Sequence, residues 1–383
     1  MNLIKELNKR FLLQKEYLGE NKVVNSIKPI VSVVVATYQH EKYIEKCLDG
    51  ILMQETNFPV EIIVGEDGSN DGTRNLCIKY AEKYSDKIRL FLRDRSLSQL
   101  YDKSGKFITF FNGKWLRMSA RGKYIALCEG DDFWTDPNKL QKQVDFMLTN
   151  PDYSTVFHKV DWLVQETGEK FAGSYGPPTI KSEYSTDDLL ESSNFLPTCS
   201  VLFRNRFDNY PEWYLDCRIG DFPLHIMNSL DGKIGYINQS MGVYRRHSGG
   251  LHGGQSESFN IKRSIETYEI IGQNLNLNTR KSYRLKVSKY YHQLFEIYEL
   301  KNEKELSLDY LKSANTYTEV RFYSLKKMRL KLPFCLTKKY FMIMKLLQTI
   351  TYYTRIAGSL RKPPQRGRCG KTPKGSFKLR FLF

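Results

Sequence analysis

Acidic residues follow two short apolar runs of this 383-residue sequence, in clusters whose oxygens could hold a cation. One cluster, directly after the run at 60–65, begins with Glu66 and Asp67. The other follows the run at 123–128 and reads Glu129-Gly130-Asp131-Asp132. Carboxylates that share a site repel each other unless a cation or a proton is present. Their oxygens are ligands that Mg²⁺ and Mn²⁺ prefer, so the pattern predicts a divalent metal site.

The first cluster has a second interpretation, because Asp, Gly, Ser and Asn are also the commonest turn residues. The stretch from Glu66 to Ser69 would then be a simple turn. Either cluster alone leaves both alternatives open. Two clusters at the ends of consecutive strands favour the metal site.

The elements that would position these residues alternate between strand and helix patterns. Runs with the length and composition of buried parallel strands occur at 30–36, 60–65, 88–92 and 123–128. Helical spacing lies between them, at 43–52 and 72–84. An α/β fold with a mainly parallel sheet is therefore predicted, and such sheets bind ligands beyond the carboxyl ends of their strands. Thr37-Tyr38-Gln39-His40 follows the first run at that edge.

The pattern changes beyond Pro151, and it supports a division into four regions. We predict one or two strands at 153–164, a Gly/Pro-rich loop at 168–184, a helix at 187–193 and a strand at 198–204. Helical spacing dominates from about 258. The regions are a helical leader (1–28), the α/β domain (29–255), a helical C-terminal region (256–360) and a basic, disordered tail (361–383).

The net charge of +17 is concentrated at the C-terminus. Residues 321–383 contain 17 Lys or Arg and no acidic residue, so the other residues are balanced at 42 basic and 42 acidic. This distribution, without an aromatic-basic RNA motif, argues against a nucleic-acid binder. A basic segment that alternates with apolar residues, as at 338–345, predicts association with an anionic membrane surface. An exposed helix packed on the α/β domain is the alternative.

Targeting and redox signals are weak. The N-terminus lacks a long apolar segment, and the apolar stretch at 340–356 is interrupted by Lys345, Gln348 and Arg355. Seven scattered cysteines without a C-x-x-C pair indicate free buried thiols in a reducing compartment. We predict a cytoplasmic protein, peripheral at the inner face of the cell membrane.

Three segments in order resemble family 2 glycosyltransferases of the GT-A fold. They are VSVVVATY at 31–38, EIIVGEDGSNDGT at 61–73 and RGKYIALCEGDD at 121–132. The resemblance implies an α/β domain of GT-A type, with a Rossmann-like sheet and here a C-terminal helical extension. It also implies a nucleotide sugar as donor and a divalent metal, Mn²⁺ or Mg²⁺, as cofactor.

The same resemblance implies roles for the residues at the strand ends. The donor's base and ribose would be bound by four residues: Thr37, Tyr38, Glu66 and Asp67. The DXD-type element would be the segment from Glu129 to Asp132. In it, Glu129 would contact the donor, Asp131 would be the preferred metal ligand and Asp132 the second candidate ligand. Glu66 and Glu129 stand where the family more commonly has Asp. Glu keeps the negative charge but has a longer side chain.

An inverting transferase needs a general base, which the family places on an Asp after a loop of small residues. The matching stretches are 194–204 and 219–224, so Asp221 is the candidate base and Asp216 the alternative. From the residues alone, an N-cap role for Asp221 is favoured, because Pro223 follows as in a first helical turn. The two roles are compatible.

The segment at 243–250 resembles the part of relatives that closes over the donor. His247 is the candidate metal ligand there, and Arg245 the candidate contact to the donor's diphosphate. A structural histidine is the alternative. Gly249, Gly250 and two further glycines could form a loop that folds over a bound donor.

The function implied is transfer of a sugar, with inversion, to a hydroxyl of a glycan or lipid-linked acceptor. Cell-envelope or exopolysaccharide biosynthesis would be its setting. The rival hypothesis is a non-catalytic sugar-nucleotide-binding or scaffold protein with a membrane-associating tail.

Overall fold

The computed structural model describes residues 3–19, 28–101, 104–105, 107–206, 210–249 and 256–317. Within these residues, a mixed sheet of eleven strands forms the centre of the fold. The strands, including a separate β5–β6 hairpin, are β1 (Glu16–Tyr17), β2 (Val31–Thr37), β3 (Val60–Glu66), β4 (Ile88–Leu92), β5 (Gln99–Tyr101), β6 (Phe107–Phe110), β7 (Tyr124–Leu127), β8 (Phe133–Trp134), β9 (Tyr153–Val164), β10 (Lys170–Tyr175), β11 (Glu183–Tyr184), β12 (Leu202–Arg204) and β13 (Lys233–Arg246). The helices are α1 (Leu3–Phe11), α2 (Ile44–Leu52), α3 (Thr73–Lys83), α4 (Arg95–Ser98), α5 (Asn112–Met118), α6 (Lys139–Thr149), α7 (Thr186–Ser192), α8 (Glu212–Asp216), α9 (Asp221–Leu230), α10 (Glu257–Asn274), α11 (Lys281–Leu300) and α12 (Lys304–Thr316).

The predicted parallel strands are neighbours, in the order β4-β3-β2-β7, and the α/β prediction is confirmed. Their β-branched residues are buried on both faces, as expected of strands covered by helices on either side. Thr37 pairs with Glu66, and Val34 with Leu127, so β2, β3 and β7 end at one edge. The residues that follow these strands are therefore brought together.

The second half of the sheet is partly antiparallel, and here two predictions are wrong. Residues 168–184 are not a loop throughout, because β10 pairs antiparallel with β9 and β11 pairs with β13. Gly168 has a φ of +73° and lies in the turn between β9 and β10. Residues 198–200 form a 3₁₀ turn, so the strand predicted at 198–204 is reduced to β12.

One end of the described chain joins this sheet, and the other packs on helices α7 and α8. The predicted leader contains α1 and also β1, which pairs antiparallel with β4. The C-terminal helices α10, α11 and α12 pack on one another, and α11 contacts α7. Within the described residues, no helix combines the length and apolar composition needed to cross a membrane. Residues 318–383, with the predicted basic tail and amphipathic segment, lie outside the described residues.

Candidate active site

The first acidic cluster forms a turn after β3. Glu66 is fully buried, and its carboxylate accepts hydrogen bonds from the backbone N–H of Ser69, at 2.6 Å, and from the Arg74 guanidinium. The backbone N–H of Asp67 donates to the carbonyl of Thr37 at 3.0 Å, which ties this turn to the end of β2. The turn interpretation is therefore correct for Glu66. Within the described residues, neither Glu66 nor Asp67 belongs to a group of side chains close enough to share a metal ion.

Tyr38, Asp67 and Arg95 form a connected group, the Tyr38 cluster, beside this turn. The Arg95 guanidinium carbon lies 3.4 Å from the centre of the Tyr38 ring, a cation–π contact. The same guanidinium forms an ion pair with Asp67, with Nη1 at 2.8 Å from Oδ2. An aromatic ring, a cation and a carboxylate therefore contact one another at the carboxyl edge of the sheet.

The ionisation of Asp67 is costly in this pocket, which predicts a pH effect on stability. Burial raises the pKa of the Asp67 carboxyl to about 6, despite the opposing charge of Arg95. The folded protein therefore holds this proton more tightly than the unfolded chain does. The resulting stabilisation is complete below about pH 4 and is lost as the pH rises through about 6.

We expect the wild type to lose about 1 kcal/mol more unfolding free energy between pH 5 and pH 8 than Asp67→Asn, which cannot titrate. Urea denaturation of both proteins at the two pH values measures this difference. Parallel pH dependences would contradict the assignment of a raised pKa to Asp67.

The second acidic cluster places Asp131 between two imidazole rings. Asp131 Oδ2 lies 3.1 Å from Nε2 of His247 and 3.8 Å from Nε2 of His40. One ligand atom from each of the three residues lies within 4.8 Å of the others. Burial alone would raise the pKa of Asp131, but the hydrogen bond with His247 and the proximity of His40 outweigh it and lower the pKa. We call these three residues the His–Asp–His group.

Asp132 and Arg245 lie behind this group. Asp132 is only 1% exposed, and its Oδ1 accepts the backbone N–H of Arg245 at 2.8 Å. Burial raises the pKa of Asp132 well above its ordinary value. The side chain of Arg245 donates from Nε to the backbone carbonyl of Asp131 at 2.7 Å and from Nη1 to Gln165. These contacts support the segment that carries Asp131.

Glu129 completes a second set of close carboxylates. Its ligand oxygen lies within 4.8 Å of those of Asp131 and Asp132. The side chain is open to solvent, yet surrounding protein and the charges of Asp131 and Asp221 raise the pKa of its carboxyl. A cation at this place would relieve the repulsion among these carboxylates.

Asp221 is the first residue of α9, and Gly220 occupies the N-cap position. The prediction of an N-cap role is therefore wrong, although the carboxylate still accepts the backbone N–H of Phe222 at 2.8 Å. The other carboxylate oxygen accepts a hydrogen bond from Nδ2 of Asn194 at 2.7 Å. The alternative base, Asp216, ends α8 and is exposed.

Comparison with known proteins shows which family the domain around this site resembles. The sequence model described as "Glycosyl transferase family 2" matches residues 32–210. Residues 32–210 thus match a family 2 glycosyltransferase domain. An uncharacterized protein of Mycobacterium tuberculosis is 36% identical over 223 residues, 58% of this chain and 60% of the relative. The chain thus spans less than two thirds of that relative's length.

Two further comparisons place this glycosyltransferase domain among named proteins. A Bacillus subtilis protein, named as a teichuronic acid biosynthesis glycosyltransferase, TuaG, is 34% identical over 121 residues, 32% of this chain and 43% of that protein. The structure of S. aureus TarS 1–349 in complex with UDP superposes with a TM-score of 0.51 at 15% identity, covering 76% of this chain and 81% of that one. At this identity the likeness shows the fold, and it agrees with the predicted GT-A architecture.

Sequence reasoning gave no role to two residues that the glycosyltransferase domain brings into the site. His40 is the last residue of the segment 37–40 that follows β2, and this position was its available signal. Arg95, in contrast, begins a four-residue helix and has no motif around it. Only the tertiary structure brings Arg95 to Tyr38 and Asp67. Of the predicted closing loop, Gly249 is described, whereas residues 250–255 lie outside the described residues.

Proposed function

We propose that this protein is an inverting glycosyltransferase that moves a sugar from a nucleotide sugar to an acceptor hydroxyl. The observation that carries the proposal is the His–Asp–His group at the carboxyl edge of the sheet, with the carboxylate of Glu129 close to that of Asp131. In the proposed site this group would bind the cation, and the separate carboxylate of Asp221 would act on the acceptor. A nucleotide-sugar transferase needs both, one for the leaving group and the other for the acceptor.

The Tyr38 cluster, with Thr37 and Glu66, is proposed to bind the base and ribose of the donor. The ring of Tyr38 would stack on the base. The guanidinium carbon of Arg95 lies 3.4 Å from the centre of this ring. Asp67 would accept hydrogen bonds from the donor, which would compensate for ionisation at a buried position. Glu66 would act through the turn that it closes by accepting the Ser69 N–H.

The His–Asp–His group fits a divalent metal, because one carboxylate oxygen and two imidazole nitrogens lie within 4.8 Å of one another. His40, Asp131 and His247 would hold the ion, with Glu129 and Asp132 adding negative charge nearby. When bound, a divalent cation neutralises the charge that develops on the departing diphosphate. Arg245 would keep Asp131 in place through the backbone of this segment.

Asp221 is proposed as the general base. In that role its carboxylate takes the proton of the acceptor hydroxyl while the acceptor oxygen bonds to the anomeric carbon and the bond to the diphosphate oxygen breaks. The hydrogen bonds from Asn194 and Phe222 would fix the orientation of the carboxylate. Attack opposite the leaving group gives inversion.

We propose a glycan or lipid-linked acceptor in cell-envelope or exopolysaccharide biosynthesis. The name of the similar B. subtilis protein, TuaG, refers to teichuronic acid biosynthesis and supports this setting. A cytoplasmic location, peripheral at the inner face of the membrane, would bring the enzyme to such an acceptor. The basic segment 321–383 would supply the attraction to anionic lipid.

This attraction predicts selective binding to anionic vesicles. The full-length protein should co-sediment with phosphatidylcholine vesicles that contain phosphatidylglycerol, and this binding should weaken at high salt. Changing Lys326, Lys327, Arg329 and Lys331 to Gln should weaken binding by about tenfold or more. The matched control changes four exposed lysines of the α/β domain to Gln: Lys42, Lys79, Lys83 and Lys87. Equal losses from the two sets would remove the tail proposal.

The proposed activity is tested with a donor panel of UDP-glucose, UDP-N-acetylglucosamine, GDP-mannose and dTDP-rhamnose. Thermal unfolding with and without Mn²⁺ or Mg²⁺ reports binding, and release of nucleoside diphosphate reports turnover. We expect a metal-dependent stabilisation by one donor, accompanied by turnover. Stabilisation without turnover when a mixed membrane-glycan extract is added as acceptor would favour the non-catalytic binding protein instead.

A further inference from the structure

A strained turn directly precedes Asn194, the residue that donates a hydrogen bond to Asp221. Ser193 has φ 63° and ψ −167°, a region of backbone conformation that is essentially confined to glycine. Such a conformation costs about 1–3 kcal/mol and persists only where the surrounding structure holds it. The hydroxyls of Ser193 and Tyr290, which belongs to α11, share a hydrogen bond at 2.7 Å. The C-terminal helices thus hold this turn.

Two hydrogen bonds fix the side-chain amide of Asn194, one at each end. Nδ2 donates to Oδ2 of Asp221 at 2.7 Å, while Oδ1 accepts the backbone N–H of Leu196 at 3.1 Å. The amide cannot be reversed without losing both bonds, since each side has a partner of defined polarity. Because Ser193 is the residue before Asn194, a shift of its backbone would move the amide that donates to Asp221.

A second contact from the C-terminal helices reaches the other side of Asp221. Phe222, its neighbour in α9, stacks on Tyr268 of α10 with ring centres 5.1 Å apart and planes at 23°. Tyr268 also donates to the carbonyl of Leu190 in α7 at 3.0 Å. The rings of Tyr268 and Tyr290 meet edge to face at 5.6 Å. One aromatic pair therefore contacts the segments on both sides of the Asn194–Asp221 hydrogen bond.

We propose that Tyr290 is a positioning residue, which acts through Ser193 and Asn194 to orient the carboxylate of Asp221. This inference rests on the proposed role of Asp221 as the base. The helices α10 and α11 are then part of the catalytic apparatus, because they hold the geometry of a residue that they do not themselves carry. Tyr290 makes this contribution through its hydroxyl, so removal of one oxygen atom tests it.

The experiment compares Tyr290→Phe with Tyr291→Phe in the full chain. Tyr291 is the adjacent residue of α11, and its hydroxyl donates to Glu269 within the C-terminal helices at 2.8 Å. We expect Tyr290→Phe to lower kcat about tenfold, with the donor KM changed less than about twofold, because a misplaced base affects the chemical step. Hydrogen exchange of the backbone amides at 193–196 should become faster. Tyr291→Phe should change neither quantity.

Ser193→Ala removes the other partner of the same hydrogen bond. Together with Tyr290→Phe and the double variant it completes a double-mutant cycle. It should reproduce the loss of Tyr290→Phe, and the double variant should be no slower than either single one. Additive losses, unchanged exchange at 193–196, or faster exchange with unchanged kcat would each overturn the inference. If the wild type transfers no sugar from any donor of the panel, the proposed function and the positioning role of Tyr290 in catalysis both fail. The exchange data still decide whether Tyr290 holds the turn.

Discussion

Asp221→Asn is expected to lower kcat by about 10²–10⁴-fold while leaving donor binding close to that of the wild type. The substitution keeps the size of the side chain and removes its basicity, so the acceptor hydroxyl has no group to take its proton. Both carboxylate oxygens accept hydrogen bonds, from Asn194 and from the N–H of Phe222, whereas an amide offers only one acceptor oxygen. One of these bonds is therefore also lost.

Steady-state kinetics and calorimetric titration with the donor separate these effects. A fall in kcat at unchanged donor affinity marks a group that acts in the transition state. The control is Asp216→Asn, the same change at an exposed carboxylate that ends α8 and that the sequence offers as the alternative base. If Asp216→Asn is inactive and Asp221→Asn is active, the roles must be exchanged. If both variants keep full turnover, the general base is neither residue.

The carboxyl edge of the sheet could be predicted because its information is local. A β-branched run and the turn motif after it consist of consecutive residues. Parallel pairing then brings the carboxyl ends of neighbouring strands together. The metal site predicted from the two acidic clusters stays a prediction, and the two clusters differ in the structure. The second cluster does lie among imidazoles and carboxylates close enough to share a cation, whereas Glu66 is used to close its own turn.

Contacts between distant segments could not be predicted in this way. The ring of His247 reaches Asp131 across 116 positions of the chain, and Asn194 reaches Asp221 across 27. No local pattern records which side chains meet when β13 returns beside β9. The strand β10 was missed for a related reason, since its Gly-containing sequence carries a weak strand signal and pairing with β9 supplies the stabilisation. Resemblance to a family offered Asp131, Asp221 and His247 as candidates, but it did not predict the hydrogen bond between Asn194 and Asp221.

The His–Asp–His group yields the other large expected effect: Asp131→Asn should weaken metal-dependent nucleotide binding by about 100-fold or more. This carboxylate is the only charged oxygen donor in the group and lies within 4 Å of both imidazole Nε2 atoms, at 3.1 and 3.8 Å. Its removal eliminates the strongest attraction for a divalent cation at this place, while His40 and His247 remain. Titration of Mn²⁺ followed by electron paramagnetic resonance measures the free ion directly, with and without UDP or GDP.

The matched control is Asp145→Asn, an exposed carboxylate on α6, which should bind Mn²⁺ and nucleotide as the wild type does. His40→Gln should give an intermediate loss, because it removes one nitrogen ligand and keeps the charge of Asp131. Wild-type Mn²⁺ affinity in Asp131→Asn would show that the cation is held elsewhere, and Glu129 with Asp132 would then be the next group to change. If Mn²⁺ affinity falls in Asp131→Asn but not in His40→Gln, Asp131 is a metal ligand and His40 is not.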